Sequence, residues 1–144
     1  RPAGKLLAIA VLGAALAAPV VTVSEDSAES DFQAYSPELL AELRASGQPV
    51  FINLTADWCI TCLVNERVAL SSEKVTRLIN DQGIVYLKGD WTNNDPQITA
   101  LLNQFQRSGV PLYLVYPRGS GPAQILPQIL SESMIIEALT QASK

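Results

Sequence analysis

The stretch "PVFINLTADWCITC", residues 49–62, changes character near its middle. Residues 49–55, "PVFINLT", are an apolar, β-branched run, the mark of a buried strand. Asp57 and Trp58 follow, and then Cys59 and Cys62, the only two cysteines of the chain. A Cys-x-x-Cys at a strand-to-helix junction sets its first thiol at a helix N-terminus, where the macrodipole and free N–H groups stabilise a thiolate. The second thiol lies one turn further on, within reach of a mixed disulfide formed by the first. The thiolate is the nucleophile of disulfide exchange, so a lowered thiol pKa makes that exchange possible at neutral pH.

Competing uses of two close thiols fit less well. A zinc site takes four ligands, usually Cys and His, and this chain has two cysteines and no histidine. A purely structural staple here would close a very short loop, where stabilisation is smallest. A soft-metal site for copper, which thiolates suit, stays open as a binding-module alternative.

Outward from the motif, strands alternate with helices. Residues 36–47, "SPELLAELRASG", read as a helix with Ser36 as N-cap, Pro37 at its first position and Gly47 as its stop. Residues 63–81 read as helix, with Ser71 or Ser72 capping its second half, and "GIVYLKG" (83–89) as a strand. Residues 94–109 carry Asp95 as N-cap, Pro96 at the first helical position and Gly109 at the end. "PLYLVY" (111–116) is a strand, "PRGSGP" a turn, "AQILPQ" a short strand and "SESMIIEALTQAS" a closing helix. This order predicts an α/β fold with a central mixed sheet flanked by helices and an antiparallel hairpin at one edge.

The 144 residues suffice for one compact domain and an appendage. A net charge of −4 and a pI near 4.7 argue against nucleic acid as a partner. Residues 6–24 carry no charge and follow Arg1 and Lys5. The segment 1–23 reads as a transmembrane helix or a signal-like segment, the membrane helix being preferred. Both readings keep the two basic residues inside and export the rest, which in bacteria means the periplasm, where disulfide chemistry is possible. Residues 24–35 carry four acids and no base and read as a solvated linker, with Phe32 and Tyr35 available to dock its end. Residues 36–144 are then the folded domain.

"FINLTADWCITC" together with "SGVPLYLV" resembles the thioredoxin fold family over roughly residues 49–144. "ADWC", "NERVALS", "YLKGDWT" and "GVPLYLVYP" resemble, more closely, the C-terminal domain of the DsbD/ScsB type of membrane thiol:disulfide interchange protein. The resemblance implies a periplasm-facing protein-disulfide reductase domain, tethered through its N-terminal segment to the inner membrane. It would take electrons from a membrane-embedded redox domain and pass them to periplasmic disulfide-containing proteins. It implies Cys59 as the nucleophile, Cys62 as the resolving thiol, and Pro111 as a cis-proline facing them, with Val110 offering backbone atoms to a partner strand. The disulfide itself carries two electrons, so no cofactor is implied. Trp58 is expected beside the thiols on the docking surface. A free-standing exported thioredoxin-like reductant, of the kind serving cytochrome c maturation, is the alternative within redox chemistry.

One position departs from the family pattern. Thioredoxin-like reductases usually carry a buried carboxylate six residues before the first cysteine, and here that position is Asn53, which cannot titrate. DsbD-type domains also carry a glutamate seven residues after the first cysteine, and Glu66 matches it. Glu66 is therefore the expected proton acceptor for Cys62. Asp57, nearer in sequence, is expected to be more exposed and to cap the loop. "DWTNNDP" (90–96) is expected along one edge of the site.

Overall fold

A computed structural model describes residues 31–144. The apolar segment at 1–23 and most of the acidic linker lie outside the described residues. Among the described residues, no helix is long and apolar enough to cross a membrane.

Five strands form one mixed sheet in the order β1-β3-β2-β4-β5. The central strand β2, Val50–Thr55, pairs in parallel with β3, Val85–Asp90, and antiparallel with β4, Leu112–Tyr116. β5, Gln124–Ile125, pairs antiparallel with β4, the hairpin edge expected from the short turn, though only two residues long. The sequence did not disclose β1: Gln33–Ala34, inside the acidic linker, pairs in parallel with β3.

The period of two along each strand sorts the core onto two faces. Val50, Ile52 and Leu54 of β2 and Leu112 and Leu114 of β4 form one apolar cluster, which also takes in Ile98, Leu101 and Leu102 of α4, Pro96–Gln104. Leu39, Leu40 and Leu43 of α1, Pro37–Ala45, pack against the same cluster. Phe51, Tyr113 and Val115 point the other way, into a cluster with α3, Glu73–Asp81, and α5, Glu132–Ala142. Asn53 and Thr55 share that second face with Phe51, so the one amide in the central strand is aimed at the side on which the redox helix packs.

The helix starts follow from local chemistry. Ser36, Asp95 and Ser131 each accept a backbone N–H from the first turn of α1, α4 and α5. Ser72 caps α3 by position only, because its hydroxyl is directed to Glu132 instead. After Cys59 the chain forms α2, Ile60–Asn65, and then widens into a π-helical turn, Glu66–Leu70. Ser71 N–H reaches back to the Glu66 carbonyl, five residues away, at 2.9 Å.

At Gly89, where β3 meets α4, a side chain would displace the ends of Leu54 and Ile98. A Cβ there would lie 2.6 Å from Leu54 Cδ2 and 3.2 Å from Ile98 Cδ1.

Candidate active site

The site stands at the C-terminal end of β2, where the strand hands over to α2. Cys59 is the N-cap residue of α2, with extended backbone angles, and is joined to Cys62 by a disulfide. The backbone N–H of Cys62 points at Cys59 Sγ, 3.2 Å away. That N–H is one of the free donors of the first helical turn. Accessibility differs between the two: Cys59 is 7% exposed and Cys62 0%.

The surroundings are apolar. Ala56 and both cysteines form a small buried cluster with Val110 packed against it. The Val110–Pro111 peptide bond is cis, and Pro111 is buried. Gly109, just before, approaches Trp91 so closely that a Cβ would sit 3.3 Å from the indole ring.

Trp58 is 55% exposed, which is high for so large an apolar side chain. It is held rather than loose. Its indole N–H donates to the Thr92 carbonyl at 3.2 Å, and its ring lies 6.0 Å from that of Trp91. Thr92 also accepts the Asp57 N–H on its hydroxyl at 2.9 Å and gives its own hydroxyl proton to Asp90. These bonds hold the Asp90 carboxyl below its ordinary value, the hydroxyl acting most and the Thr92 N–H next. The "DWTNNDP" stretch therefore does border the site, and Thr92 is the residue that ties it there. Nothing in the sequence singled Thr92 out.

Glu66 lies at the junction of α2 and the π turn, half-buried. Lys88 Nζ stands 2.7 Å from its Oε1, although off the line that a directional hydrogen bond needs, so the contact is ionic. Lys88 is the register partner of Asn53 across β2 and β3. The strand position that cannot titrate thus faces the lysine that pairs with the helix carboxylate. Asn53 is fully buried and donates from Nδ2 to the Tyr86 hydroxyl at 3.0 Å. Burial pushes the Tyr86 and Tyr113 hydroxyls up to about 12, so both stay neutral while they accept from Asn53 and Asn65.

A cleft of about 460 Å³ runs beside the redox helix, lined among others by Ala56, Asp57, Leu63, Glu66, Lys88 and Asp90. Ala56 packs with both cysteines and also lines this cleft. Asp57 is exposed and Glu66 half-buried, the order expected from the sequence. Phe32, in the former linker, lines the same cleft, with Lys88 Nζ 5.0 Å from its ring centre. Among the described residues, no group of three His, Cys, Asp or Glu is placed to hold a metal ion.

A disulfide-forming Cys-x-x-Cys on a β-strand-to-helix turn, opposite a cis-proline in a five-stranded mixed sheet, defines a thioredoxin-like class. A family model described as thioredoxin-like matches residues 31–117, and the chain belongs to that family. Within it the similarity is to the DsbD type. The thiol:disulfide interchange protein DsbD of Yersinia enterocolitica is 34% identical over 106 residues, 72% of this chain and 18% of that protein. DsbD of Escherichia coli K12 is 35% identical over 88 residues, 61% of this chain and 15% of that protein. The chain thus spans less than a fifth of the length of these curated relatives. The oxidised C-terminal domain of Neisseria meningitidis DsbD superposes with a TM-score of 0.61 at 25% identity, covering 77% of this chain and 98% of that one. The fold and the cysteine pair together make this a thiol:disulfide oxidoreductase domain of the DsbD kind.

Proposed function

We propose that the domain relays electron pairs on the periplasmic side of a bacterial inner membrane. Its donor is a membrane-embedded redox domain, and its acceptors are periplasmic proteins that carry disulfides. The observation that carries this reading is the asymmetry of the pair, with Cys59 7% exposed at the start of the helix and Cys62 fully buried behind it. Similarity to DsbD and the uncharged 6–24 segment behind Arg1 and Lys5 support the location and the tether.

The chemistry balances without a cofactor. In the reduced domain the Cys59 thiolate attacks one sulfur of the partner disulfide, and the partner's other sulfur leaves as a thiolate. Cys62 then gives its proton to Glu66 by way of the adjoining cleft. The Cys62 thiolate attacks Cys59 Sγ and expels the partner's second thiolate. The partner gains two electrons and the domain is left with the Cys59–Cys62 disulfide. Pro111 and Val110 face the partner across the thiols, and Trp58 forms part of the contact.

Trapping tests the assignment. Cys62→Ser keeps the attacking thiol and removes the internal escape, so it accumulates covalent complexes reversible by dithiothreitol, while Cys59→Ser accumulates few. Equal trapping by both variants, or none, overturns the polarity and the relay with it. Direction is tested by the reduction potential, expected near that of thioredoxin at about −270 mV rather than that of DsbA at about −120 mV. A value above roughly −150 mV overturns the reductant assignment.

A further inference from the structure

Ile60, Val64 and Val68 follow one another at intervals of four along the redox helix, and all three face solvent. They are 73%, 50% and 59% exposed. Residues four apart on a helix share a side, so the three make a continuous apolar ridge. The ridge begins inside the Cys-x-x-Cys motif itself. From Trp58 to Asn65 the chain has no charged residue, although 17% of the whole sequence is charged. Exposed apolar surface depleted of charge is the composition of an interface core and not of an ordinary solvated helix face.

A second apolar side chain is held beside the ridge by an unusual device. Asn65 lies between Val64 and Val68 on the same helix turn and is 1% exposed. Its Nδ2 donates to the Gln128 carbonyl at 2.7 Å, and its Oδ1 accepts the Leu130 N–H at 3.0 Å. The amide therefore grips the backbone on both sides of Ile129 and leaves that side chain 75% exposed. The remaining Nδ2 proton goes to the Tyr113 hydroxyl at 2.9 Å, so the clamp is anchored to the central sheet.

We infer that Ile60, Val64, Val68 and Ile129 form a docking surface for an apolar polypeptide segment flanking the partner's reactive cysteine. This deepens the redox reading and rests on it. The occupant follows from continuity. Ile60 adjoins Cys59 in the chain, so a partner sulfur bonded to Cys59 stands at the start of the ridge, and no charged residue follows before Glu66 and Arg67. From Ile60 to Val68, α-helical to Asn65 and π-helical beyond it, the ridge rises no more than about 12 Å, the length of about four residues of extended chain. The segment recognised thus lies within about four residues of the partner's cysteine.

The test uses the full chain, reduced beforehand, and three probes: glutathione disulfide, and two disulfide-linked peptides. One peptide carries Leu at the second and fourth positions on each side of its cysteine, and the other carries Ser there. The unaltered chain should reduce the Leu peptide about tenfold faster than the Ser peptide. The pair Val64→Gln and Val68→Gln, both helix-compatible and uncharged, should erase that difference and leave the glutathione rate within about twofold. Ile129→Gln should reduce the difference in part, without touching the helix. Equal rates on the two peptides with the unaltered chain overturn the inference, as does an equal slowing of all three probes by the variants. A concentration-dependent dimer lost in the variants assigns the ridge to a second copy and overturns it. Binding to phosphatidylcholine–phosphatidylglycerol vesicles that is lost in the variants assigns it to lipid and also overturns it. Failure of the unaltered chain to reduce glutathione disulfide removes the redox reading, and the inference falls with it.

Discussion

Lys88 Nζ lies 2.7 Å from Glu66 Oε1, and Lys88 is the register partner of Asn53. The carboxylate of this site therefore resides on the redox helix and not in the central strand. Glu66→Gln should slow resolution of the mixed disulfide near neutral pH while leaving the initial attack by Cys59 almost unchanged. Lys88→Met should alter the rate of the same step, because it removes the charge that stands 2.7 Å from the carboxylate. Single-turnover kinetics from pH 5 to 9 separate attack from resolution. A defect in resolution from Asp57→Asn, with none from Glu66→Gln, assigns the proton to the other carboxylate.

Asn65 satisfies three buried or half-buried groups with one side chain. Asn65→Ala leaves the Tyr113 hydroxyl, the Gln128 carbonyl and the Leu130 N–H without it. The expected loss is about 2–4 kcal/mol, since an unmet buried polar group costs about 1–3 kcal/mol. Urea unfolding should show a lower midpoint with an unchanged slope.

Thr92 holds the Asp57–Trp58 loop and lowers the Asp90 pKa through its hydroxyl and its N–H. A depressed carboxylate contributes stability that is present above its unfolded value, about 3.9, and is lost as pH falls through its folded one. Thr92→Val should raise the Asp90 pKa toward its ordinary value, read by NMR titration of its carboxyl carbon. Acid should then remove less stability from the variant than from the parent.

All four tyrosines titrate high. Burial pushes Tyr35, Tyr86 and Tyr113 to about 12 and raises Tyr116. A raised folded pKa gives stability that is complete below pH 10, the unfolded value, and lost as pH climbs through 12. Absorbance at 295 nm should stay flat through pH 10 in the native chain. In guanidinium chloride the same residues should titrate near 10.

Gly89→Ala should cost about 1–3 kcal/mol by overpacking, because the added methyl meets Leu54 and Ile98 together. Thermal unfolding measures it, with Gly83→Ala as a control where nothing lies within 4 Å but the backbone is left-handed.

What was legible in the sequence was local. Ser36 and Asp95 announce their helices because capping is settled within three residues, and the Cys-x-x-Cys announces its turn for the same reason. What was not legible depends on strand register or on which way a side chain turns. Lys88 is far from Glu66 in sequence, and only the β2–β3 pairing brings them together. Asn65 in a helix reads as a solvated amide until the loop 128–130 is found beside it. Gln33–Ala34 is too short and too polar in its neighbourhood to show a strand period. The π turn has no composition of its own, and so residues 63–70 read as ordinary helix.

Both outer strands of the sheet, β1 and β5, are two residues long. A neighbouring chain arriving side-on finds only a short ladder of unpaired N–H and C=O groups, too little to template an added strand. Side-on addition of an unfolded polypeptide to the described sheet is thereby disfavoured.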